Sequence, residues 1–409
     1  MEQHELIPHL FRNEYRKIVS VLCKLFGIAH IETAEDITSD TFLLAAETWG
    51  IRGLPENPTA WLYFVAKNKA INHLKRNGLF RDKIAPQIAP KEEAEEMTID
   101  LSEQAIEDSQ LQMMFAICHP AIGQEAQVGL ALRILCGFGI EEIADAFLSG
   151  KETINKRLFR AKEKLRTEAV TIALPGRDEI GRRMDTVITM LYLLFNEGYY
   201  SQSQNVQLRK DLCWEAMRLT RLLLDNPLTN RPEVNALFSL MCFHASRFES
   251  RTDASGEIVL YEEQDEHSWD QELITQGNYY LNLAATGATV TRYHLEAGIA
   301  FWHTIKTDLN GKWAQILQLY NHLLSIHYSP IAALNRTYAL ARVKGAAAGI
   351  AEAEQLNLGG SHLYHLLLGE LYKDGDKRKS LHHLEQAMSL ARSAPEKRLI
   401  ASKIAALQQ

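Results

Sequence analysis

The chain has 409 residues, 46% hydrophobic and 23% charged, which is enough for about two to four globular domains with real cores and excludes a disordered or fibrous chain. Its formal net charge of -7 argues against general coating of nucleic acid, whose affinity comes from neutralised phosphates, so any such contact must be local. Cys23, Cys118, Cys136, Cys213 and Cys242 are scattered and form no CxxC pair, which suggests neither a disulfide framework nor a zinc site and fits a reducing cytoplasm.

The N-terminus, MEQHELIPHLFRNEY, lacks an apolar stretch of the signal-peptide kind, and the longest apolar runs, such as VITMLYLLF, fall far below the roughly 18 residues of a spanning helix. A soluble, cytoplasmic protein is expected. Apolar residues recur at helical spacing nearly everywhere while period-2 runs are scarce, so the fold class is all-α. TAEDITSDTFLLAAETW (33–49) has a Thr N-cap candidate, acids in its first turns and an apolar stripe through Ile37, Phe42, Leu44 and Ala45. NPTAWLYFVAKNKAINHLKRN (57–77) starts near Pro58 and ends in Lys75 and Arg76. Its aromatic head (Trp61, Tyr63, Phe64) and its face of Lys67, Asn68, Lys69, Asn72 and Lys75 put stacking surface beside phosphate ligands, the combination that holds an unpaired strand; solvated lysines over an aromatic core give the same pattern.

KEEAEEMTIDLSEQAIED (91–108) carries eight acids against one base and reads as a solvated linker. In GIEEIADAF, Ile140, Ile143, Ala144 and Phe147 form one amphipathic face, and a short turn leads to KETINKRLFRAKEKLR (151–166), seven basic side chains against two acidic. Here Ile154, Leu158, Ala161 and Leu165 form the apolar stripe, and Ser149 with Glu152 predicts a capping box. Two short helices, a tight connection and a basic outer face describe a helix-turn-helix able to enter a major groove; a basic helix solvated within a bundle is the other reading. In the first, Lys151, Glu152, Thr153, Asn155 and Lys156 face base edges, while Arg157, Arg160, Lys162 and Lys164 face phosphates.

Pro175 and Gly176 mark a stop within ALPGRDEIGRR (173–183). Units are therefore expected at 1–78, 110–170 and 180–409, with an acidic linker over 79–109. From 212 onward helical segments follow one another; within RTDASGEIVLYEEQ (251–264), ASGE could turn a short hairpin. The last segment, from Ser361, pairs helices as a degenerate tetratricopeptide unit does, with Gly369, Tyr372 and Pro395 near signature positions. Stacked helix pairs make concave protein-binding surfaces. His362, His365, His382 and His383 lie close in sequence, but no HExxH, Walker A, GxSxG or GxGxxG motif occurs. Neither an enzyme, a metal nor a cofactor is expected.

AEDITSDTF, NPTAWLYFVAKNKAINHLKRN, an acidic linker and GIEEIADAFLSGKETINKRLFRAKEKLR, in that order, resemble domains two and four of bacterial RNA polymerase sigma factors of the extracytoplasmic-function, sigma-70 family type. VITMLYLLFNEGYY, LYEEQDEHSWD and SPIAALNRTYALARVKGAAAGIAEAEQL further resemble the subgroup with a C-terminal helical-repeat, tetratricopeptide-like extension. The resemblance implies that 1–78 is sigma domain two, with Asp36 and Asp40 contacting core RNA polymerase and Asn57, Trp61, Lys67, Asn68, Asn72, Lys75 and Arg76 near the separated -10 strand. It implies that 110–170 is domain four, reading duplex DNA at -35 through the helix from Lys151, and that the linker threads the RNA exit path. The glycine usual in the helix-turn-helix connection is matched by Leu148. The implied partners are core RNA polymerase, promoter DNA and a signalling protein or small molecule at the regulatory 180–409 region, with no membrane. A helical-repeat adaptor or DNA-binding regulator that is not a sigma factor is the alternative.

Overall fold

The structure is a computed structural model that describes residues 3–76, 99–200, 206–251, 253, 259–308 and 311–408. Most of the expected linker, 79–98, lies outside the described residues, as does ASGE (254–257), the stretch expected to turn a hairpin. Among the described residues there is no strand, and 251–264 retains only a single 3-10 turn, Tyr261–Glu263, with the Val259 N–H bonded to Arg251 O. The all-α expectation therefore holds.

The chain divides into two compact units, Met1–Thr229 and Asn230–Gln409. The first contains α1 (Gln3–Phe26), α2 (Ile31–Arg52), α3 (Pro58–Arg76), α4 (Glu103–Ile117), α5 (Gln124–Leu130), α6 (Ile140–Ala146), α7 (Lys151–Thr167), α8 (Arg177–Tyr200) and α9 (Val206–Asp225). Tyr15, Ile18, Val19 and Leu22 of α1 recur at helical spacing and are buried; α2, α3 and α4 pack on this helix. The expected break near 173–183 is not where the compact units part. α8 packs along α9, both touch α4, and α9 is held by charge as well: Arg218 donates to Gln110 Oε1 at 2.7 Å and to Leu135 O at 2.8 Å, and Glu215 pairs with Arg16 of α1. The two helices close over each other at Gly198, where a Cβ would stand 2.5 Å from Arg209 O. The expected linker also ends early, since α4 begins at Glu103 with Ser102 as its N-cap.

The second unit runs through α10 (Pro232–Ala245), α11 (Gln271–Ala284), α12 (Arg292–Trp302), α13 (Lys312–Ile326), α14 (Pro330–Lys344), α15 (Ala346–Gln355), α16 (His362–Tyr372), α17 (Lys377–Leu390) and α18 (Ala394–Gln408). Packing follows the sequence: each helix lies on the next, with α10 also reaching α12 and α14 reaching α16. Gly369 lets α16 and α17 approach, because a Cβ there would meet Leu384 at 2.8 Å; Ser380 of α17 donates to its carbonyl at 2.6 Å. All five cysteines are free and buried, and burial pushes the Cys23, Cys118 and Cys136 thiols far up. Among the described residues no helix is long and apolar enough to cross a membrane.

Candidate nucleic-acid interface

Two helices of the first unit carry the residues singled out in the sequence. α7 buries Ile154, Leu158, Ala161 and Leu165, as the stripe predicts, and packs on α5 and α6. α6 and α7 are joined by Phe147–Gly150, and Leu148 adopts a left-handed φ of 46° in that turn. A left-handed residue is what the connection demands, and here leucine supplies it at a cost glycine would avoid. The predicted capping box does not form: Gly150 is the N-cap of α7 and no side chain closes its first turn. Glu142 instead reaches back to the Gly139 N–H at 2.7 Å, closing the start of α6. The uncapped N–H groups of α7 therefore stand at the positive end of its dipole beside Lys151, Thr153 and Asn155, all exposed.

The cations of α7 divide into three groups. Arg160 is exposed and meets no carboxylate among the described residues. Lys151, Lys156, Lys164 and Arg166 are exposed but pair with Glu141, Glu152, Glu168 and Glu163, pairs that contribute little in water. Arg157 and Lys162 are both half-buried: Arg157 is bonded to Glu125 at 2.8 Å and set over the Phe147 ring, and Lys162 turns toward α2. The Lys162 ammonium lies 2.7 Å from Glu32 and 3.4 Å from Glu35 of α2, and Arg133 adds a 2.7 Å bond to Glu35. Lys162 was expected among the phosphate ligands; its place beside Ala161 and Leu165 puts it on the buried edge of the helix instead. Thr153, Lys156, Arg157, Arg160 and Lys164 line a groove of about 590 Å³ against Ala121, Ile122 and Gly123 and against Ala126 of α5.

α3 buries Leu62, Ala66, Ala70 and Leu74. Its opposite face exposes Asn68, Asn72, Lys75 and Arg76, with Lys67 half-buried beside them. Of the aromatic head, Trp61 is half-buried with its ring 5.4 Å edge-on to the buried Trp49, and Tyr63 donates to Glu14, which together with burial drives its phenol pKa up. Phe64 is the ring left facing solvent, 63% exposed, one turn from Asn68. Trp61 was placed near the strand by the resemblance; of the three head aromatics the exposed one is Phe64, and only its position opposite the Leu62–Leu74 stripe could have revealed this. Asn57 is the N-cap of α3, its Oδ1 accepting the Ala60 N–H at 3.0 Å. On α2, Asp36 and Asp40 are exposed, Asp40 lying 3.5 Å from Lys69. They share the outer surface of the helix with Leu43, 58% exposed, and Ile51, 87% exposed.

Of the clustered histidines, His365 and His383 share a 3.0 Å hydrogen bond; among the described residues no group of three His, Cys, Asp or Glu side chains converges.

With this geometry in place, comparison with known proteins finds a match for the first three helices. Residues 10–79, which hold most of α1 together with α2 and α3, match Sigma-70 region 2. These three helices therefore carry a sigma-70 region 2 domain. The sigma-70 match is joined by a second one over residues 183–285, to a family of unknown function, DUF6596. An uncharacterized protein of Rhizobium meliloti, R00370, is 31% identical over 382 residues, covering 90% of this chain and 88% of that protein. RNA polymerase sigma factor YlaC of Bacillus subtilis is 25% identical over 166 residues, 41% of this chain and 93% of that protein. No solved structure matches.

Proposed function

We propose that the protein is a sigma factor of the extracytoplasmic-function type: it binds core RNA polymerase in the cytoplasm, directs it to a class of promoters and performs no covalent chemistry of its own. The observation that carries this reading is the Sigma-70 region 2 match over 10–79 on the helix that exposes Phe64, Asn68, Asn72, Lys75 and Arg76. A ring facing solvent above amides and cations suits unstacked bases of an opened -10 strand, which need a stacking surface and a phosphate track rather than groove readout. α6 and α7 are the helix-turn-helix for -35 duplex, with the uncapped start of α7 and Arg160 toward the DNA. Asp36 and Asp40, beside Leu43, are the polymerase contact, an acidic edge around an apolar spot.

The second unit is read as a tetratricopeptide-like regulatory extension, an assignment supported by its sequential packing and by the Gly369 crossing. The test is run-off transcription with purified core enzyme on genomic fragments. Promoter-specific transcripts that depend on the protein are expected; core enzyme that gains no promoter preference would mark the chain as an adaptor and end the sigma-factor reading.

A further inference from the structure

A cavity of about 510 Å³ opens within the second unit, walled by Tyr261, Trp313, Tyr320 and Tyr338 and by leucines of α14 and α16. Its size suits a small organic molecule, and its aromatic lining offers faces for a flat one. The charges around it do not balance internally. Each lining carboxylate already has a cation: Glu262 is bonded to Arg342 at 3.0 Å and Glu370 to Lys403 at 2.7 Å. Arg247 is left over. It lines the cavity, is only 8% exposed, has no carboxylate partner among the described residues, and its Nε has no hydrogen-bond partner. What it has is the Tyr261 ring, 5.5 Å from its Cζ, and that ring already carries the Lys312 ammonium at 4.9 Å.

A guanidinium withdrawn from water without an anion is costly to the fold, and a sequence free to vary would replace it with a methionine or leucine of similar volume. A buried cation left without a carboxylate points to an anion that arrives from outside. One planar fork with one positive charge matches a carboxylate, which it can hold through two parallel hydrogen bonds; a phosphate would call for further cations, and Lys403, the other cationic side chain lining the cavity, is already paired with Glu370. We propose that this cavity binds a small aromatic carboxylate, with the carboxylate on Arg247 and the ring among Tyr261, Trp313 and Tyr338. The site stands on its own, whether or not the chain is a sigma factor.

Titration of the full chain with 1-naphthoate, followed by calorimetry, tests this, with neutral 1-naphthylmethanol as the control. Naphthoate should bind saturably at one site, and Arg247→Gln should weaken it by about tenfold or more while leaving naphthylmethanol unchanged. Arg247→Met should raise the melting temperature of the ligand-free protein, since it removes a buried unpaired cation. Naphthoate that does not saturate at millimolar concentration, or that binds Arg247→Gln as it binds the parent, overturns the proposal. So does a lower melting temperature for Arg247→Met, which would make Arg247 a structural residue.

Discussion

Arg160 and Lys162 lie two residues apart on α7 and face opposite ways. Arg160 is exposed and free of carboxylates among the described residues, whereas Lys162 sits between Glu32 and Glu35. Arg160→Ala should therefore lower promoter affinity and reduce the slope of log K against log salt by about one, the release of one counterion; Lys162→Ala should leave the slope unchanged and lower the melting temperature. Equal slopes in all three proteins would remove Arg160 from the interface. The apolar stripe of α7 was legible because periodicity is local, but the inward turn of Lys162 was not, since its partners lie more than a hundred residues away. His303 supports a second prediction. Burial, reinforced by Arg247 and Lys312, pulls its pKa down to about 3, against about 6.5 in an unfolded chain. The unfolded state then binds the extra proton, so stability is complete above about pH 6.5 and falls toward pH 3, by up to about 1.4 kcal/mol per pH unit. Denaturant melts across that range should show a shallower acid loss for His303→Gln than for the parent, by one proton; identical slopes would mean His303 titrates freely.

At the scale of elements, the helices were readable and their ends were less so. The start of α7 at Lys151 agrees with the sequence, yet Ser149 and Glu152 make no capping box because Gly150 takes the N-cap position. The same four-residue turn holds Leu148 left-handed with its side chain 63% exposed. Leu148→Gly removes the clash of Cβ with the following carbonyl and uncovers little apolar surface, so it should stabilise the protein by about 1 kcal/mol, read by urea denaturation. A loss of stability would mean that the leucine side chain does more in the turn than its exposure indicates. The sequence pointed to this position, where the resemblance called for glycine, but only backbone geometry shows why. The cavity around Arg247 was not legible at all: its walls come from helices and turns spread between Arg247 and Lys403, each of which reads alone as an ordinary amphipathic segment.

For the whole molecule, the border between units decides which pieces can stand alone. A cut near residue 174 would strip α8 and α9 from α4 and leave Arg16 and Gln110 without Glu215 and Arg218. The fragment 1–229 should unfold cooperatively as a soluble domain, while 1–174 should aggregate or bind an apolar dye; a well-folded 1–174 would return the border to the Pro175–Gly176 stop. Composition marked that stop correctly as a helix break, but a break between helices says nothing about which neighbours they cover. The buried cysteines turn the same border into a kinetic observable. Cys23, Cys118, Cys136 and Cys213 lie in the first unit and Cys242 alone in the second. A thiol-specific reagent should find almost nothing to react with in the native protein and five sites after denaturation. Between those limits each sulfur acts as a clock for the opening of its own surroundings, so the order in which the five are labelled records which part of the molecule breathes first.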